Sequence, residues 1–142
     1  MIWGFISYDG RKGIAMVSGN LNAGYYTKIS EEHLLPNMYL GQTLQQDNAP
    51  AHRSILTKNW MFENGFQENW PAQSPDQNII ENLWDMLKRR VKAKNPRNIG
   101  ELCATCKEEF EEISVDKIQK FYESIPARLS EFIRKGGKNT KY

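Results

Sequence analysis

The chain has 142 residues, 39% hydrophobic and 25% charged, a balance that predicts a folded domain with a single core and excludes a disordered tail. Its formal charge is only +2, but 14 of its 19 Lys and Arg residues follow residue 85, so the basic charge is concentrated rather than weak. No run reaches the roughly 20 apolar residues that span a bilayer, and two cysteines three apart, Cys103 and Cys106, exclude a secreted disulfide framework, so a soluble protein in a reducing compartment is expected, with no membrane partner.

In chain order, Ile2 to Tyr8 and Ile14 to Ser18 are short apolar or aromatic runs joined across Asp9-Gly10, which predicts an antiparallel strand pair. Asn22 is placed to cap a helix carrying Tyr25, Ile29, Leu34 and Leu35, with Pro36 near its end. Thr43 to Gln46 reads as a short strand ending at Asp47, and residues from about Ala51 to Asn64 as a helix with Ile55, Leu56, Trp60 and Phe62 as core candidates, stopped at Gly65. A further strand is expected over Phe66 to Trp70, then a polar loop with two prolines from Pro71 to Asn78. The best-defined helix starts near Ile79. Its residues Ile80, Leu83, Trp84, Leu87 and Val91 share one arc of a helical wheel. Leu102, Cys106, Phe110 and Ile113 form a later stripe, and Ile118, Phe121, Tyr122 and Ile125 begin another before the tail GGKNTKY. Strands first and helices last predict an α/β domain, a small sheet covered by helices.

Three features can carry chemistry. Asp47, within QQDNAPAH, sits at a predicted strand end, where a carboxylate suits metal binding, although Asp is also an ordinary turn residue there. His52, five residues on, can act as a hydrogen-bond donor or phosphate contact, or simply pack at a helix start. Glu81 falls in the first turn of the Ile79 helix, where the helix dipole alone explains a negative charge. On a wheel of about 100° per residue, Glu81, Asp85, Lys88 and Lys92 share one flank of that helix. Acids followed by bases on one flank suit an Mg²⁺ site with lysines tracking a phosphate backbone, while Asp85 can equally pair with Lys88 or Arg89. Six cations between Lys88 and Arg97, with no acid from Met86 to Gly100, suit a polyanionic partner or a solvated face. Cys103 and Cys106 have zinc or redox spacing but lie in a helical stripe without a second ligand pair, so packing thiols are expected.

QDNAPAH followed by WPAQSPDQNIIENLWDMLKRRV resembles the paired motifs of mariner-superfamily transposases, DNAPxH and SPDLNPIENLW. WGFISYDGRKGIAMVSG is similar to that family's strand pair after its first catalytic Asp, and KGGKNTKY to its usual ending. The resemblance implies a ribonuclease H-like fold lacking its first strand, with C-terminal helices, as a partial catalytic domain over residues 1–142 and no helix-turn-helix DNA-binding domain. It implies an acidic DDE triad binding two divalent ions, Mg²⁺ or Mn²⁺, for DNA strand cleavage and transfer in transposition and integration. Asp47 then matches the second acid and Glu81 the third, both as catalytic and metal-binding residues. His52, Lys88, Arg89, Lys92, Lys94 and Arg97 are the implied DNA contacts. The first acid belongs upstream of WGF, so these residues alone are expected to be inactive. Asp9, in the hairpin turn, is no substitute. The spacing from Asp47 to Glu81 is one residue short of the family's usual, and Ile79 stands where a proline is typical. DNA, namely transposon ends, is the implied partner and the nucleus the implied location, with exposed sheet edges as a route to association or a homodimer. The alternative function is a non-catalytic nucleic-acid-binding module derived from a transposase.

Overall fold

A computed structural model describes residues 1–39, 42–66 and 78–136. Its described residues gather into two compact units: one of Met1–Phe5 and Lys12–Ser74, the other of Ile6–Arg11 and Pro75–Tyr142. Composition sets how much apolar surface can be buried, not how it is shared, and here each unit has its own core.

In the first unit, β1 (Ile2–Ile6) and β2 (Lys12–Met16) form a two-stranded sheet. The expected Asp9-Gly10 turn, whose residues belong to the second unit, closes it as a three-residue loop: Gly10 N donates to Ser7 O at 3.0 Å and Ser7 N to Arg11 O at 2.8 Å. Gly10 has φ of +89°, and a Cβ there would lie 2.5 Å from Val115, so both backbone and space demand glycine. Asn22 caps α1 (Ala23–Ile29) as its sequence position predicts, its side chain accepting from Tyr25 N at 2.9 Å. The chain then continues through a π-helical turn, Ser30–Leu34, and a 3₁₀ turn, Leu35–Asn37, that contains Pro36. Ile29 and Leu34 are buried as expected, joined by Tyr26 in place of Tyr25.

Two expectations for the following segment are corrected. Thr43 to Gln46 is not a strand: Thr43 makes an isolated bridge, and the sheet among the described residues consists of β1 and β2. A strand exists only by pairing, which periodicity cannot supply. The single helix expected over Ala51 to Asn64 is two, α2 (Pro50–Arg53) and α3 (Ile55–Glu63), because Ser54 is extended and caps α3 by accepting from Thr57 N at 3.0 Å. That break sets the phase of α3. Ile55 (80% exposed), Leu56 and Phe62 (86% exposed) therefore face outward, and Thr57 and Met61 form the buried face. Thr57 is fully buried because its hydroxyl donates to Ala51 O at 2.6 Å. Trp60 stacks on Phe66 with ring centroids 5.2 Å apart. The strand expected over Phe66 to Trp70 and the loop from Pro71 lie outside the described residues, apart from their ends at Phe66, which is not in a strand, and Asn78.

The second unit is built on α4 (Ile79–Lys94), capped by Asn78, whose side chain accepts from Ile80 N at 3.4 Å. Of its expected arc, Leu83, Leu87 and Val91 are buried and Ile80 and Trp84 half-buried, while Ile79, outside the expected set, is buried as well. The helix stops at Asn95, which takes the left-handed conformation (φ 51°) just before Pro96. Then α5 (Ile99–Glu111) packs on α4, followed by α6 (Val115–Glu123) and α7 (Ile125–Arg134). Cys106, Phe110, Ile113 and Ile118 are buried as expected, whereas Leu102 is exposed. Tyr122 Oη donates to Ile6 O at 2.9 Å, and burial, helped by the charge of Asp9, pushes the phenol up to about 12. Among the described residues no helix is long and apolar enough to cross a membrane.

Candidate functional site

Asp47 opens a tight turn. Its Oδ1 accepts from Ala49 N at 3.0 Å, closing an Asx turn, and Pro50, with φ already fixed, starts the single turn of α2. That turn carries His52 back toward Asp47. His52 Nδ1 lies 2.7 Å from Asp47 Oδ1 and 3.2 Å from Asp47 O. Both partners are acceptors, so the geometry requires the proton on Nδ1 and turns Nε2 away from Asp47.

Behind this pair stand residues that sequence reasoning missed. The Tyr26 ring packs against the imidazole at 4.4 Å, and its hydroxyl donates to Gln46 Oε1 at 2.5 Å. Gln46 Nε2 in turn points at Met61 Sδ, 3.4 Å away. The residue before Asp47 and the one that contacts its carboxylate are thus both fixed by α1. Gln46 stands inside the conspicuous QQDNAPAH segment, but no local signal links that segment to Tyr26, 20 residues earlier. His52 is largely covered, whereas the Asp47 side chain is 62% exposed. The arrangement presents a carboxylate held in one orientation yet open to solvent, with Oδ1 engaged and Oδ2 facing no hydrogen-bond partner among the described residues.

Glu81 belongs to the second unit, in the first turn of α4, where it is exposed and makes no side-chain hydrogen bond or ion pair among the described residues. Asp85 pairs with Lys88 at 3.6 Å, the structural alternative foreseen for it. Lys88, Arg89 and Lys92 are exposed, as is Arg97, whose backbone N–H is held by Glu101 Oε2 at 2.7 Å in the capping arrangement of α5. The remaining two cations are engaged: Lys94 lies 3.4 Å and Arg90 3.8 Å from the buried carboxylate of Glu109 on α5. Glu109 is one helical turn from both Cys106 and Ile113, so its place on the buried stripe was readable. The two cysteines are free thiols on α5, and burial raises that of Cys106. Among the described residues no group of three or more His, Cys, Asp or Glu side chains is gathered for a metal.

Residues 1–103 match the family model described as "DDE superfamily endonuclease". The whole chain aligns at 31% identity with the Transposable element Tcb1 transposase of Caenorhabditis briggsae, covering 54% of that protein. It aligns at 29% with the Tc1 transposase of Caenorhabditis elegans over 54% of its length, and at 31% with the Tc3 transposase of the same organism over 45%. The chain thus spans about half the length of the curated relatives it matches. Together with the carboxylates of the DNAPAH and IIENLW segments, these matches establish that the chain belongs to the DDE superfamily of endonucleases, among its mariner-type transposases.

Proposed function

We propose that the chain supplies the second and third acids, Asp47 and Glu81, of a transposase active site on a ribonuclease H-like framework, and that it serves DNA cleavage and strand transfer in the nucleus. One observation carries the reading most directly: Asp47 is oriented by Ala49 N–H and His52, yet most of its side chain is open to solvent. An ordinary turn aspartate needs the first contact but not the second. Hard divalent cations such as Mg²⁺ or Mn²⁺ take carboxylate oxygens and commonly only one or two from the protein, so Asp47 Oδ2 and the exposed Glu81 carboxylate are donors of the right kind. When bound, such ions would polarise the phosphoryl group and activate the attacking water or 3′-hydroxyl. The chain's own part is to hold the carboxylates, through His52 at Asp47 and the N-terminal turn of α4 at Glu81, and to hold the DNA. For the latter, Lys88, Arg89 and Lys92 on the exposed side of α4, Arg97 beyond it, and His52 through Nε2 are the groups that meet phosphate oxygens.

Mn²⁺ bound per chain, counted by electron paramagnetic resonance, should fall in both Asp47→Asn and Glu81→Gln. Equal binding by the wild type and both variants would overturn the reading.

A second reading, a nucleic-acid-binding module without catalysis, is favoured by the exposed cations of α4 alone. It requires DNA binding indifferent to Mn²⁺ and to Asp47→Asn, whereas the first reading requires the divalent ion to strengthen it.

A further inference from the structure

The six cations of the basic stretch are not equivalent. Taking Ile80 as zero on a helical wheel of about 100° per residue, the buried residues Ile79, Leu83, Leu87 and Val91 define one arc, and Arg90 and Lys94 fall inside it. Lys88, Arg89 and Lys92 fall on the opposite side. Cations on a packed face need a counter-charge, and α5 provides one: the Glu109 side chain, 7% exposed, lies 3.4 Å from Lys94 Nζ and 3.8 Å from an Arg90 guanidinium nitrogen. One carboxylate thus receives two cations a helical turn apart.

We propose that Glu109 is an internal counterpart of a DNA phosphate: it claims Arg90 and Lys94, holds α5 against α4, and confines the DNA-contacting surface of α4 to Lys88, Arg89 and Lys92. The assignment rests on the reading of α4 as a DNA-binding helix and removes Lys94 from the contacts expected of it. Moving both Lys94 and Arg90 to phosphates would strip a buried carboxylate of its partners, moving either would leave it with one, and an unpaired buried charge is far costlier than an exposed ion pair is favourable. Among the described residues, the cations of the outward flank have no such obligation beyond the exposed contact between Lys88 and Asp85.

Crossed substitutions test this on the full chain, with a fluorescein-labelled random-sequence duplex as the probe. With three or four contacts, log K should fall against log salt with a slope of about −3 to −4, and each lost phosphate contact should flatten it by about 0.9. Lys92→Ala should flatten the slope by about that amount and leave the melting temperature unchanged. Lys94→Ala should do the reverse, leaving the slope unchanged and lowering the melting temperature by about 2–4 °C. Glu109→Gln, if folded by circular dichroism, should free two cations and steepen the slope by up to about 1.8. The Lys92 and Lys94 arms decide the matter even if that variant does not fold. A slope flattened equally by Lys94→Ala and Lys92→Ala overturns the division of the helix while leaving α4 as a DNA-binding element. A wild type that does not bind the duplex overturns the underlying reading and this assignment with it.

Discussion

Asp47 and Glu81 carry the same functional group and are held in opposite ways. Asp47 is fixed through its own carboxylate, by a backbone N–H and an imidazole that is itself packed on Tyr26. Glu81 is fixed only through its backbone, as part of a helix whose apolar arc is buried, and its side chain is free of hydrogen bonds and ion pairs among the described residues. The difference teaches where each acid is vulnerable. Asp47 depends on a handful of polar contacts in a loop, whereas Glu81 depends on the packing of α4 some residues away.

The largest effect should come from breaking the packing under α4. Leu83 is completely buried two residues after Glu81, and Leu83→Ala should cost about 2–5 kcal/mol in urea denaturation. In the first unit the corresponding anchor is polar: Thr57→Val removes the hydroxyl that bonds Ala51 O and Ser54 Oγ, and should cost about 1–3 kcal/mol. A larger loss from Thr57→Val than from Leu83→Ala would reverse the comparison.

His52→Ala should weaken Mn²⁺ binding by about 10-fold or more, the usual consequence of removing a group that orients a ligand. His52→Asn, whose amide can still donate to Asp47, should recover part of the loss. Equal affinity in all three proteins would mean that Asp47 needs no orienting partner and is held no more firmly than Glu81.

The smallest of these effects concerns Tyr122, which within the second unit donates to Ile6 O beside the hairpin loop. Tyr122→Phe should cost about 0.5–1.5 kcal/mol. Its pH dependence has a definite sign. The phenol is raised in the folded chain from its ordinary 10 to about 12, so the stability it contributes is complete below pH 10 and is lost as pH rises from 10 through 12. The Phe variant should lack that component, which thermal melts across this range would reveal.

What could be read from the sequence follows the same division. The apolar arc of α4, the stripe of Cys106, Phe110 and Ile113, and the caps at Asn22 and the hairpin are local signals, and the structure carries them. The face of α3 was misread because a single residue, Ser54, restarts the helix and rotates its phase, and because Thr57 is buried by a hydrogen bond that hydropathy counts against it. At the site, the carboxylates stood out by position and by resemblance. The support that Tyr26 gives His52 did not, because it acts across a long separation in sequence through a ring contact; likewise the place of Glu109 on its stripe was readable, but its pairing with Arg90 and Lys94 is brought about only by folding.

The central claim is that both of these differently held carboxylates are ligands for divalent ions, and paramagnetic broadening of amide resonances tests it most directly. At Mn²⁺ well below one equivalent, signals around Asp47 and His52 should broaden and recover in Asp47→Asn, and signals around Glu81 should broaden and recover in Glu81→Gln. Broadening confined to one of the two sets, or spread evenly over the acidic residues of the chain, would contradict the account.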